Sequence, residues 1–256
     1  MTYNRSIDKA TIPTVNILGV NVAAINMEWL ITFTKKNVKK LSGDYICVSN
    51  VHTTVMAYED IYYKEIQNGG ILAIPDGGPL STIGRRRWGG GIMSRTTGPD
   101  YMFEVFKISA INGWKHYFYG STQETLDKLK RELERLFPGI EIVGMYSPPF
   151  RRISMDEDIE IIKTINLSSP DFVWVGLGAP KQEKWMASHQ GHIKGLMVGV
   201  GAAFDYYAGN IKRAPSWMQT INLEWLYRLI QDPKRLLKRY VVTNPKFIWN
   251  AVVRGK

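Results

Sequence analysis

Cysteine is almost missing from this chain of 256 residues: Cys47 stands alone, so no internal disulfide can form. It lies in the apolar run Tyr45-Ile46-Cys47-Val48 and reads as a core residue of a protein kept in a reducing compartment. No stretch approaches about 18 uninterrupted apolar residues, which argues against a membrane-spanning helix. Residues 1–13 are polar, include Asp8 and lack the charged-then-apolar pattern of a leader, which points away from secretion. Histidine is scarce; His189 and His192 lack the further ligands that zinc needs, and His52 and His116 stand far away. A Gly-x-Ser-x-Gly elbow is absent, which argues against a serine hydrolase. There is no repeat at a solenoid period and no low-complexity segment.

What is present is a globular composition, 45% hydrophobic and 22% charged, suited to one large or two small domains. The formal net charge is +10 and it is unevenly spread. Residues 211–256 carry ten Lys/Arg against Glu224 and Asp232, so this tail holds +8 of the total. A nearly neutral body with a strongly basic tail calls for an anionic partner, whether nucleic acid, acidic lipid or phosphate.

The pattern alternates strand and helix. Strands are expected at 14–18, 45–48, 71–75, 116–119, 140–143, 171–175 and 195–198. Helices are expected at 26–39, after Asn50, after Pro79, and at 101–111, 123–137, 154–166 and 181–189. On the 101–111 helix, Phe103, Phe106 and Ala110 are expected to share one face. The fold class is therefore α/β: a Rossmann-like, mainly parallel sheet with helices on both faces and ligands outside the carboxyl ends of the strands. The division expected is a catalytic α/β domain over 1–210 and a basic helical appendage over 211–256.

Asn50, Asp76, Gly120-Ser121, Gly176-Leu177-Gly178 and Gly199-Val200-Gly201 all fall just past expected strands, where they can converge on one crevice. Such turns cradle phosphate through backbone N–H groups and helix N-termini. The last of them lacks the third glycine of a dinucleotide fingerprint, its place being taken by Phe204. Asp76, in Asp76-Gly77-Gly78-Pro79, is either a helix cap or a base with room beside it for a sugar hydroxyl. Arg95 suits a phosphate fork, against the alternative of one more surface arginine near Arg85, Arg86 and Arg87. Asp156-Glu157-Asp158 has the spacing of a divalent-ion motif, but Ser154-Met155-Asp156-Glu157 is a capping box and the acids fit a first helical turn. No metal site is expected. In the tail, Trp217, Ile221, Trp225, Leu226, Leu229 and Ile230 follow helical spacing, continued by Leu236, Leu237, Tyr240 and Val241. Two readings stand level: helices packed on the domain, or an amphipathic surface on a membrane interface.

These residues resemble a known family. Asp76-Gly77, Arg95 with Gly98 and Asp100, Tyr119-Gly120-Ser121 and Gly178-Ala179-Pro180-Lys181-Gln182-Glu183 are similar to its motifs. So are Gly199-Val200-Gly201-Ala202-Ala203-Phe204-Asp205, Arg213-Ala214-Pro215 and Leu223-Glu224-Trp225-Leu226-Tyr227-Arg228-Leu229. The resemblance is to the WecG/TagA/CpsF glycosyltransferases, family 26, of the GT-E fold type, over residues 16–249. It implies inverting, metal-independent sugar transfer, without a cofactor, from a UDP-sugar to a polyprenyl-diphosphate-linked saccharide in cell-surface polysaccharide or teichoic acid synthesis. The donor sugars implied are N-acetylmannosamine or its uronic acid, then glucose or glucuronic acid. Asp76 matches the proposed base, Asn50, Arg95 and Gln182 the polar pocket residues, and Arg228, Arg235 and Lys238 the tail cations that close over the diphosphate. Asp100, Gly120, Ser121, Gly178, Lys181, Glu183, Gly201, Asp205 and Arg213 complete the expected substrate-binding set. The partners implied are those two substrates and an anionic membrane surface on the cytoplasmic side, with a homo-oligomer left open. One departure stands out: Val48 replaces the family's usual Thr two residues before the Asn, so that hydroxyl is absent or supplied by Ser49. Two rivals from other classes are a nucleic-acid-binding protein using the tail and a nicotinamide-dependent oxidoreductase.

Overall fold

A computed structural model describes residues 5–89 and 91–255. Among them run eight strands: β1 Thr14–Ile17, β2 Val20–Ala23, β3 Tyr45–Ser49, β4 Leu72–Pro75, β5 Lys115–Gly120, β6 Glu141–Tyr146, β7 Phe172–Gly176 and β8 Leu196–Gly199. The α-helices on the body are α1 Met27–Asn37, α2 Val51–Glu59, α3 Ile61–Gly69, α4 Gly78–Arg87, α5 Gly98–Asn112, α6 Gln123–Leu136, α7 Met155–Leu167, α8 Lys181–Ser188 and α9 Ala203–Tyr207. The tail adds α10 Ser216–Thr220, α11 Glu224–Gln231 and α12 Pro233–Phe247, then a π-helical turn at Ile248–Val253.

Six strands form a parallel sheet in the order β4-β3-β8-β7-β5-β6. Its side chains alternate between two cores, as strand pleating requires. Ile46, Val48, Phe172, Trp174, Leu196 and Val198 face one core, covered by α1, α5, α6 and α9. Tyr45, Cys47, Val173, Val175 and Met197 face the other, covered by α2, α3, α4, α7 and α8. Phe247 and Ala251 of the tail also enter that second core. Helices thus cover both faces, the Rossmann-like α/β arrangement expected.

Two details depart from the sequence reading, and a third follows it. β1 does not join the parallel sheet; it pairs antiparallel with β2 in a separate two-stranded sheet. The link, Leu18-Gly19, is only two residues long, both at positive φ, and so short a link permits a hairpin but no parallel crossover. On α5 the buried stripe is Tyr101, Met102, Val105, Phe106 and Ser109, not Phe103, Phe106 and Ala110. Phe103 is 41% exposed and roofs the core at its rim, edge-on to Phe137 at 5.4 Å between centroids. The acids at 156–158 serve the helix: Ser154 and Glu157 close a reciprocal capping box, and Asp158 pairs with His189 at 3.1 Å.

Candidate active site

The strand order sets the turns in series along one edge of the sheet: Asp76 after β4, Asn50 after β3, Gly201 after β8, Gly178 after β7 and Ser121 after β5. The loop that precedes α5 folds back to join them, since the Thr96 N–H donates to the Pro75 carbonyl at 2.7 Å and brings Arg95 beside the end of β4.

Asp76 is not the cap of α4. The N-cap is Gly77, and no side chain caps that helix. The Asp76 carboxyl is half-buried at the crevice, with Arg95 and Arg228 on one side of the electrostatic balance and Glu224 and Asp100 on the other. Burial outweighs the two arginines and lifts its pKa to about 6. A carboxylate poised there accepts a proton readily near neutral pH.

Around it lies a charged cluster built from the body and the tail. Glu224, at the start of α11, accepts from Arg95 and approaches the Arg213 guanidinium at 3.7 Å. Arg213 pairs with Asp100 at 2.6 Å, and the Thr97 hydroxyl also donates to Asp100 at 2.6 Å. These bonds hold the Asp100 carboxyl below its usual range. The tail approaches closely elsewhere too: a Cβ at Gly78 would lie 2.2 Å from Cγ of Asn222, so only glycine lets the α10–α11 loop sit there. Arg228 lies over the Tyr206 ring, 5.7 Å from its centroid. With Arg235, Gln231, Asn210 and Leu236 it lines a cavity of about 400 Å³.

Other expected site residues support the floor. Gln182 is buried; its amide accepts from the Gly201 N–H at 3.0 Å and donates to Glu183 at 2.8 Å. The Gly201 N–H is therefore spent inside the protein, not offered to phosphate. Glu183 is fully buried, and burial raises its pKa. Asn50 caps α2, accepting from the N–H groups of His52 at 3.0 Å and Thr53 at 3.2 Å. Asp205 accepts from Asn210 at 3.1 Å and ties α9 to the loop behind it. Gly120 and Ser121 end β5 at positive φ, four strand spacings from Asp76, about 19 Å. Gly178 also sits at positive φ, and Lys181 is exposed at the start of α8. Arg235 is exposed and paired with Asp232 at 2.5 Å; Lys238 is exposed. Ser49 cannot replace the hydroxyl missing at Val48, because it is buried and donates to Gln67 at 2.6 Å.

The sequence reading missed two residues here. Glu224 was only a motif letter, and Arg239 was not singled out. Arg239 was findable: Leu236, Arg239, Thr243 and Phe247 recur at helical spacing along α12. Among the described residues, no group of three or more His, Cys, Asp or Glu is arranged to hold a metal ion, and no helix is long and apolar enough to cross a membrane.

Comparison with known proteins places this site in context. A Staphylococcus aureus (strain MW2) N-acetylglucosaminyldiphosphoundecaprenol N-acetyl-beta-D-mannosaminyltransferase is 29% identical over 226 residues, covering 87% of this chain and 86% of the relative. The Bacillus subtilis (strain 168) protein of the same description is 30% identical over 226 residues, covering 85% and 86%. The model of the glycosyl transferase WecG/TagA/CpsF family matches residues 15–256, so the chain belongs to that family and is a glycosyltransferase.

Proposed function

We propose that this glycosyltransferase moves N-acetylmannosamine, or its uronic acid, from a UDP-sugar to a polyprenyl-diphosphate-linked saccharide, with inversion and without a divalent ion. Glucose and glucuronic acid are the next donors in order. The relatives' descriptions support a mannosaminyl donor and a lipid-diphosphate acceptor. One observation carries the mechanism: a half-buried carboxyl, Asp76, sits among arginines at the sheet edge with its pKa lifted to about 6 and no capping role.

In this reading Asp76 takes the proton of the acceptor hydroxyl as that oxygen attacks the anomeric carbon. The bond from that carbon to the phosphate oxygen breaks, and the electron pair leaves with UDP. Arg95, Arg213 and Arg228 stabilise the developing negative charge. The appendage over 211–256 brings these cations together with exposed Trp217, Ile221, Trp225 and Trp249, which suits a lipid-linked acceptor at an anionic membrane face, the inner face of the cell membrane. Packing of that surface on a second copy is the other arrangement it allows.

The test is UDP release from a panel of UDP-sugars with a short-chain lipid-diphosphate acceptor, run with and without chelator. Turnover with UDP-N-acetylmannosamine, undiminished by chelator, is expected. Silence across the whole panel, or turnover that vanishes with chelator, would overturn the reading.

A further inference from the structure

We infer that Arg239 binds a diphosphate in the crevice, and that it, not Lys238, is the cation α12 delivers there; this rests on the function proposed above. The placement follows from the helix. Leu236, Thr243 and Phe247 are 2%, 6% and 2% exposed, and Arg239 falls on the same stripe, so its guanidinium is carried inward. Arg235 and Lys238 lie off that stripe, and Arg235 already has Asp232.

The guanidinium is left short of acceptors. Among the described residues its one hydrogen bond runs from Nη2 to Asn50 Oδ1 at a long 3.4 Å, and that oxygen already accepts two backbone N–H groups. Its Nε is buried and meets no acceptor. The residue as a whole is half-buried, and a buried Nε–H with nothing to bind is costly. Neighbouring Arg228 and Arg235 add positive charge instead of relieving it, and Asp76 is the acid felt there. Beside it, His52 Nδ1 is likewise buried without a partner. The missing acceptor is therefore an anion with several oxygens in a fork, which a diphosphate supplies. Asn50, held rigid as the α2 cap, fixes the guanidinium at the mouth of β3.

The diphosphate has two sources, the nucleotide and the lipid. Arg239→Met and Lys238→Met in the full chain separate them, with UDP affinity by calorimetry and acceptor KM by turnover. For Arg239→Met, a UDP affinity weakened about tenfold or more assigns the nucleotide, whereas unchanged UDP affinity with acceptor KM raised about tenfold assigns the lipid. Lys238→Met is expected to move the affected constant less than Arg239→Met does, and a larger effect at Lys238 overturns the assignment. The Tm of Arg239→Met should hold or rise, because a half-buried charge with an unpaired Nε has been removed, whereas a purely structural arginine would lower it. Arg239→Lys guards against misfolding: it keeps the charge, loses the fork and should weaken the same constant. Both constants within about twofold of wild type in either folded variant overturn the inference. Wild type that neither binds UDP nor turns over a UDP-sugar sinks the parent reading instead.

Discussion

Asp76 offers two roles in the sequence, and the fold removes one of them, the helix cap. The string Asp-Gly-Gly-Pro after an apolar strand suits a cap or a base, and the N-cap at Gly77 leaves the carboxyl without the first of these roles. Asn50 and Gln182 went the other way: both are bound to backbone N–H groups, Asn50 as a cap and Gln182 under the Gly201 turn. Contacts such as Arg95 to Glu224, 129 positions apart, and Arg239 to Asn50, 189 apart, leave no local trace and become visible only once the tail is folded back. At this scale the prediction concerns Asp76. Its folded pKa of about 6 lies above the ordinary 3.8, so on the proposed mechanism the carboxylate is charged above that value, and transfer should fall as pH drops through it. Asp76→Asn should slow transfer by about 10²–10⁴ while UDP affinity stays within a few-fold. A raised acid also destabilises the fold once ionised, a cost that grows from about pH 4 to 6 and is full above. Solvent on the open side reduces that cost to about 1 kcal/mol, so the Asn variant should melt about 2–4 °C higher at pH 7.5. Full activity in that variant would remove Asp76 from the chemistry.

Secondary elements were legible where period and flanking turns agreed. β3, β4, β7 and β8 carry buried, largely apolar runs, and α6, with Leu126, Leu129 and Leu133 buried and charges outside, is amphipathic in the simplest way. β2 was missed because Leu18-Gly19 is not a turn pair with a strong hairpin signature; Leu18 is buried, and packing rather than local preference bends the chain there. The α5 stripe was shifted because aromatics at both 103 and 106 invite one face, whereas the site end of the helix needs Tyr101 and Met102 inside. The junction of β5 and β7 carries the element-scale prediction. Gly120 has φ of +124°, and a Cβ there would lie 2.7 Å from the Gly176 backbone carbon, which cannot move without opening the sheet. Strain of about 1–3 kcal/mol from the backbone angle alone should lower the Tm of Gly120→Ala by about 3–10 °C in a thermal melt. An unchanged Tm would mean that the strand ends yield freely.

For the molecule as a whole, what matters is what covers the tail. Its inward stripe is anchored in the body, yet Trp217, Ile221, Ile230, Leu237, Val241, Trp249 and Val253 remain more than half exposed. Apolar area on that scale needs a partner. The exposed Lys234 and Lys238 are interspersed with it, so a two-fold pairing of tails would set cation against cation. An anionic bilayer meets both demands, each basic residue near its surface adding about 1 kcal/mol. Cutting the chain at residue 211 is a poor test, since Phe247 and Ala251 would leave the core with the tail. Triple substitution of Trp217, Ile230 and Val241 by Ser touches exposed positions only. Losing about 1 kcal/mol of burial at each should weaken binding to vesicles containing phosphatidylglycerol about 100-fold, with UDP affinity unchanged. Sedimentation decides between the two coverings: if wild type self-associates without lipid and the triple variant is monomeric with vesicle binding intact, the tail belongs against a second copy and the membrane reading fails.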